Sequence, residues 1–417
     1  MKIEIDMSNN NNTPRLRFPG FTGEWEEKKI LDIADVLQGY GFPEKYQGQK
    51  SGDLPFCKVG DISSAVDQGE RVITKAANYI NEALLATLHA KAIPVGATIF
   101  AKIGEAIRSN KRVKTGLPCL IDNNAAAVKA KNGESDDYLF YLMSQVNLAD
   151  YSGGIVPSVN KSTIELIPVL LPSTLEEQHK IAECLSEMDE LIAAQGKKVD
   201  ALKEKKKGLM QQLFPQPGET IPRLRFSVFS GGWDYMNGDE LFEPISNKNH
   251  NSDLPILALT QDQGAVPRDM INYNVIVSDK SVAGYKVVEV DDFIISLRSF
   301  QGGIEYSRYK GLCSPAYIVL RKKSEDLISD FYRIYFKSFN YIQELNKKLE
   351  GIRDGKMISY KQFSEIKLPV PNPAEQQKIA ECLSALDELI ASESAKLESL
   401  KDHKKGLMQQ LFPQPSK

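Results

Sequence analysis

Apolar residues fall at Ile181, Leu185, Met188, Ile192, Val199, Leu202, Leu209 and Leu213, in steps of four and three that hold one helical face. This spacing predicts a long helix over 176–214 with a coiled-coil seam. A second copy, Ile379, Leu383, Leu386, Ile390, Leu397, Leu400, Leu407 and Leu411, predicts another over 374–412. Pro172 and Pro371 stand before the two helices, and the Phe-Pro of FPQP stops each one. A rod of about 38 residues would be about 57 Å long. Neither rod can bury its seam alone, and the nearest partner is the other copy, returning antiparallel. Polar residues interrupt both seams at matching places, Gln195 and Lys206 in the first, Glu393 and Lys404 in the second. In an antiparallel pair Gln195 and Glu393 reach adjacent layers and set the register, while Lys206 and Lys404 snorkel over Ile379 and Ile181. The same spacing also fits two surface helices of one globular core, with Gln195 and Glu393 facing water.

Between the helical stretches the period changes. Residues 26–170 and 234–370 differ in sequence yet run in one order. Each opens with a short apolar strand, LPFCKVGDI from Leu54 and LPILAL from Leu254, and continues to a β-rich run, GATIFAKI from Gly96 and DDFIISLR from Asp291. An Asp-started aromatic helix comes next, SDDYLFYLMSQ from Ser135 and SDFYRIYFKS from Ser329, then a Gly-containing loop and a strand ending in Pro. The flanking pieces are near-identical. PRLRF and a Trp recur at an offset of 208 residues, from Trp25 to Trp233, while EQHKIAECLSEMDELIA from Glu177 and GLMQQLFPQP from Gly208 recur 198 residues on. Constant flanks around divergent interiors predict an α+β chain with an internal pseudo-twofold repeat, in which two similar globular domains are separated by two antiparallel coiled-coil helices. The boundaries read as a disordered tail over 1–12, a first domain over 13–175, the central helix over 176–214, a second domain over 215–373 and the C-terminal helix over 374–412.

Composition narrows the class. A chain of 417 residues with 42% hydrophobic content is read as two or three globular domains. The opening residues are an Asn run without a signal-peptide pattern, and no apolar stretch reaches the roughly 18 residues of a membrane helix, so a cytoplasmic protein without a membrane is expected. The five Cys show no CxxC spacing and read as reduced and buried. Net charge is −3, which excludes a generally basic nucleic-acid coat but leaves local patches such as Lys102–Lys114 and Lys203–Lys207.

Catalytic patterns are absent from the sequence. His89, His179, His250 and His403 have no metal-ligand spacing, so no metal site and no catalytic residue is assigned. GIRDGKM at Gly351 has one residue too few between its glycines, and no Ser or Thr after the Lys, for a phosphate-binding loop.

Taken together, RFPGF and its Trp, the KVGDI strand, the IDNN turn at 121–124, the Pro-x-x-x-x-EQ-x-x-IA stretch and the GLMQQLF exit resemble the specificity subunit of type I restriction-modification systems. The resemblance covers residues 13–415. It implies two target-recognition domains, each reading half of a bipartite asymmetric DNA sequence, and helices that act as a ruler and help bind two methyltransferase subunits. Restriction and motor subunits are further implied partners. The chain would carry no cofactor, and S-adenosylmethionine, ATP and Mg would belong to the partner subunits, which methylate adenine. A non-catalytic two-module adaptor or scaffold for protein or glycan partners is the alternative reading.

Reading a sequence takes Arg or Lys toward guanine and Asn or Gln toward adenine, with Ser, Thr or Lys on phosphates. On loops flanking the β-rich runs, the candidate DNA-binding residues of the first domain are Lys58, Lys102, Arg108, Asn110, Lys111, Arg112, Ser158, Asn160 and Lys161. Those of the second are Gln261, Arg268, Arg298, Ser299, Gln301, Arg308, Arg353, Lys356 and Tyr360. For each, a solvated charge or an internal salt bridge is the competing role. Gly153, Gly154, Gly302, Gly303 and Gly355 would let backbone approach DNA, or serve ordinary turns.

Overall fold

A computed structural model describes residues 4–5 and 12–413, apart from 252, 272–281 and 348–357. The seam residues form two helices, α1 (Leu175–Leu213) and α2 (Pro373–Leu411). The chain divides into two compact units. Unit 1 takes 1–197 and 395–417, and unit 2 takes 198–394, so each holds one half of each long helix rather than leaving the helices outside the domains.

In unit 1 a five-stranded sheet has the order Ala34–Gln38, Ala125–Ala130, Thr98–Ala101, Arg112–Thr115, Val72–Ile73, antiparallel except for its last pair. Leu120–Ile121, Leu54–Cys57 and Asn78–Ile80 make a second sheet. The expected KVGDI strand ends at Cys57, and Val59–Asp67 is a helix. Asp61 is the reason: its carboxylate accepts the Lys58 backbone N–H at 2.8 Å, which satisfies an orphan donor at the helix start. In unit 2 the four-stranded sheet runs Phe242–Ile245, Ile318–Lys322, Phe293–Ile295, Glu305–Tyr306, all antiparallel. LPILAL becomes the strand Leu257–Thr260, which forms a hairpin with Gly264–Pro267. The aromatic helices are Asp136–Gln145 and Ser329–Tyr335, the second followed by Phe339–Lys347. Most of the 1–12 tail lies outside the described residues; within it Glu4–Ile5 pairs antiparallel with Leu16–Arg17.

The duplicated flanks hold each unit together. In unit 1 the Arg17 guanidinium grips Glu177 on α1 in a bidentate pair (2.8 and 2.9 Å), and Trp25 Nε1 donates to the same carboxylate. In unit 2 Arg225 grips Glu375 on α2, with both bonds at 2.7 Å. The neighbouring glutamines reach the modules: Gln178 accepts the Ser135 N–H at 3.0 Å, and Gln376 accepts the Ile328 N–H at 2.9 Å. Both satisfy donors at the start of an aromatic helix. Phe412 packs edge-on to Trp25, and Phe214 does the same on Trp233. Thus the exit of α2 closes the core of unit 1, with Leu407 and Leu411 beside Ile181 and Leu185. The exit of α1 closes unit 2, with Leu213 beside Ile379 and Leu383.

The helix halves inside each unit are antiparallel. Lys404 on α2 pairs with Asp189 on α1 at 2.6 Å in unit 1, and Lys206 on α1 pairs with Asp387 on α2 in unit 2. The two lysines are therefore held in ion pairs and do not snorkel as expected, because a facing carboxylate is close enough to take each ammonium. Gln195 is buried, and Glu393 takes Lys198 of the facing helix.

Arg17 and Glu177 are almost wholly buried, so losing one partner strands the other without water. Arg17→Ala or Glu177→Gln should lower stability by about 3–5 kcal/mol, read as a fall in denaturant midpoint. The exposed Lys161–Glu165 pair serves as control, and removing it should cost at most about 1 kcal/mol.

Candidate nucleic-acid interface

In unit 1 three loops meet beside the main sheet. Lys102 N donates to Asn124 O (2.8 Å), Val159 N donates to Lys102 O (2.9 Å), and Gly104 N donates to Pro157 O (2.8 Å). The IDNN turn, the stretch after Thr98–Ala101 and the loop before Asn160 therefore form one ridge. On it Lys102 is half-buried, Ser158, Asn123 and Asn124 are exposed, and the Lys102 amine has no ion pair within 4 Å among the described residues. Burial lowers its pKa, and nearby Asp122 pulls it back up. Lys58 shares the Asp122 field and donates to Gln47 at 2.6 Å. Burial raises the pKa of Asp122, and its hydrogen bonds to Asn124 oppose the shift. Asn123 and Asn124 were not singled out among the contact candidates, although IDNN marks their turn.

Several other candidates are used by the fold. Arg112 is buried: its guanidinium lies 4.8 Å from the Phe100 ring and bonds to Asn110 Oδ1 and the carbonyls of Lys111 and Val146. Burial pulls its pKa down to about 9. It locks the Asn110 turn, where Asn110 sits at φ 49 and donates to Ser144 O, so neither side chain is free to meet a base. Lys111 is held by Asp67 at 2.6 Å, Arg108 pairs with Glu105 at 3.0 Å, and Lys161 pairs with Glu165 at 3.5 Å. Asn160 caps the helix Lys161–Glu165 by accepting the Thr163 N–H.

In unit 2 the hairpin turn 260–264, the Ser296–Gly303 segment and the turn at Arg308 come together. Gln261 packs on Gly302, and Ala265 bridges to Ser307. With Lys203, Lys206 and Lys207 of α1 they line a groove of about 1210 Å³. Within it Lys206 and Arg333 face Asp387, and Lys337 holds Glu305 at 2.6 Å. Burial pushes the Glu305 carboxyl up and the Lys337 amine down, each partner opposing the other's shift. Lys203 and Arg308 keep no ion pair within 4 Å among the described residues, nor does exposed Arg298 nearby; Gln301 is also exposed. In the sequence Lys203 stands out only as part of the charge run Lys203–Lys207.

Ser299 is buried, its hydroxyl accepting the Ser296 N–H at 2.8 Å, and Tyr360 donates its hydroxyl to Phe242 O at 3.0 Å. Both therefore leave the contact set. Arg268 is half-buried at the end of the hairpin. Arg353, Lys356 and Gly355 lie outside the described residues.

The domain model for the type I restriction modification DNA specificity domain matches residues 22–204 and 232–402. The chain belongs to this family. It is 26% identical over 413 residues to a putative type I restriction enzyme MjaX specificity subunit of Methanocaldococcus jannaschii, covering 93% of each chain. It is 27% identical to the MjaVIII specificity subunit of the same organism, covering 71% of this chain and 74% of that one. Its fold is similar to that of the type I restriction-modification S subunit from M. genitalium (TM-score 0.58, 14% identity, 97% of this chain and 100% of that one). A second similar chain comes from a structure on complex assembly and conformational transition of the type I system (TM-score 0.55, 16% identity, 94% and 98% covered). The protein is thus a type I specificity subunit that recognises a DNA target as part of a multisubunit system.

The specificity subunit's free and bound cations should behave differently. Lys102→Gln should weaken binding evenly across sequences and reduce the log–log salt slope by about 1. Arg298→Ala or Arg308→Ala should cost about 1–3 kcal/mol and relax one base pair of the second half-site. Arg112→Ala should instead lower the melting temperature and leave base preference unchanged. Binding isotherms at several salt concentrations, with a methylation map, check all three.

Proposed function

We propose that each unit reads one half of a bipartite, asymmetric DNA target, and that the two long helices set the gap between the halves. The loops at Lys102, Asn124 and Ser158 serve the first half, and those at Gln261, Arg298 and Arg308 serve the second. One observation carries the reading. The Arg–Glu pair and the Trp–Phe packing that hold a module to its helices recur in both units, Arg17–Glu177 with Trp25 on Phe412 and Arg225–Glu375 with Trp233 on Phe214, while the loops differ. A scaffold duplicated under divergent loops is what recognition of two unlike half-sites requires.

The chain itself is non-catalytic in this reading. Among the described residues, the buried Glu177, Glu375 and Asp292 are bound by arginines and the buried Glu305 by Lys337, which supports that, since these acids are not free to act as bases. Two methyltransferase subunits, and restriction and motor subunits where present, would supply adenine methylation and cleavage. S-adenosylmethionine, ATP and Mg would be theirs. None of the helices among the described residues is long and apolar enough to cross a membrane.

Replacing residues 26–170 with the same region of another specificity subunit should change one half of the methylated sequence and leave the other half and the gap intact. Methylation mapping in cells reads the outcome, and a change in both halves would sink the proposal. Inserting four residues near Gln195 and four near Glu393 adds about 6 Å to each helix. That should lengthen the gap by about two base pairs at 3.4 Å each and change neither half.

A further inference from the structure

The loop 151–158 of unit 1 is closed at its base and apolar at its tip. Gly153 and Ser158 exchange backbone hydrogen bonds (3.2 and 3.3 Å), and Gly104 and Ile103 tie its descending arm to the Lys102 stretch. At the turn, Gly154 takes φ +91, a conformation that side-chain-bearing residues rarely adopt. Pro157 confines Val156 to extended backbone. The side chains held outward are Ile155 and Val156, at 104% and 61% exposure. A tip of this kind is ordinarily Asn, Gly, Asp or Ser. Two β-branched apolar side chains there forgo the gain of burial, which marks a surface that meets something.

We propose that Ile155, backed by Val156, is a wedge that enters between two stacked base pairs of the first half-site, while Lys102, Ser158 and Asn124 hold the adjoining phosphates and base edges. This rests on the reading that the ridge of unit 1 faces DNA. The shape favours DNA over a protein partner. A protein interface has an apolar core inside a patch of about 800 Å² per partner, whereas here the apolar part is Ile155 and Val156, with Tyr151 partly exposed at the foot of the loop, above a polar base that carries Lys102. That is the layout of side chains that unstack a base step while the surrounding groups grip the backbone. A wedge also adds selectivity without a hydrogen bond, because pyrimidine–purine steps open most readily.

The test uses the full chain assembled with its methyltransferase, on a duplex holding the mapped target, with 2-aminopurine placed one position at a time through the first half-site. Binding should raise the fluorescence at one step other than the base that the methyltransferase flips out, and Ile155→Ala with Val156→Ala should abolish that rise and weaken binding by about tenfold, the order expected for two apolar side chains buried on binding. Assembly with the methyltransferase should be unchanged. A wild-type complex that binds with no rise at any position overturns the wedge, as does a double variant that keeps the rise. A variant that keeps the rise and loses methyltransferase assembly assigns the tip to the protein partner instead. Failure of the wild-type complex to protect the first half-site in footprinting would overturn the underlying assignment of unit 1 to DNA.

Discussion

Half a seam has no partner within its own helix, and the rest of the structure follows from that. The half of α1 in unit 1 finds its apolar complement in the last turns of α2, and the half of α2 in unit 2 finds it in the last turns of α1. Burying a seam this way fixes only a face, since apolar packing is non-directional. Direction and register come from the polar positions: Lys404 on Asp189 and Lys206 on Asp387 are the same pair of repeat positions used twice. One sequence thus closes both units because it is present in two copies.

The same duplication explains how the modules can diverge. A module must present an arginine and a tryptophan to the start of its helix, an aromatic helix whose first N–H groups meet the glutamine, and a strand leading into the helix. Everything between these points may change provided its own core packs. The Arg–Glu pairs are the strictest of these demands, because a buried guanidinium without its carboxylate costs more than any single apolar contact in the module.

The helices, their ends and the repeat were legible because heptad spacing, Pro and Phe-Pro punctuation and near-identity over 198 residues are local signals. KVGDI misled because Phe56 and Cys57 are strand-like and buried, while the helix start depends on a single Asp three residues beyond Lys58. For the candidate contact residues the sequence offers suitable side-chain types but not their places in the fold. Arg112 opens a strand whose neighbours on both faces are covered, so no alternation marks it as internal; Ser299 looks like a loop hydroxyl until Ser296 is seen beneath it. Ile155 had no signal at all, since an apolar residue in a sequence is ordinarily taken for core.

Charge closes the argument. A net charge of −3 sits badly with a DNA-binding chain only if its charges are interchangeable, and here they are not. Many acids are taken up by the fold: Glu177, Glu375, Asp292 and Glu305, which are buried, and Asp189 and Asp387, which are partly exposed, each neutralise a cation that the fold itself needs. Among the described residues, Lys102, Lys203, Arg298 and Arg308 have no such partners, and they stand on the loops and groove where the two modules differ or where a helix borders them. Local potential follows these unpaired groups rather than the sum, and it falls off within about 10 Å in salt. In the reading proposed above, attraction for phosphates therefore concentrates on surfaces that can be rewritten by substitution, while the pairs that hold the modules to the helices stay out of its reach.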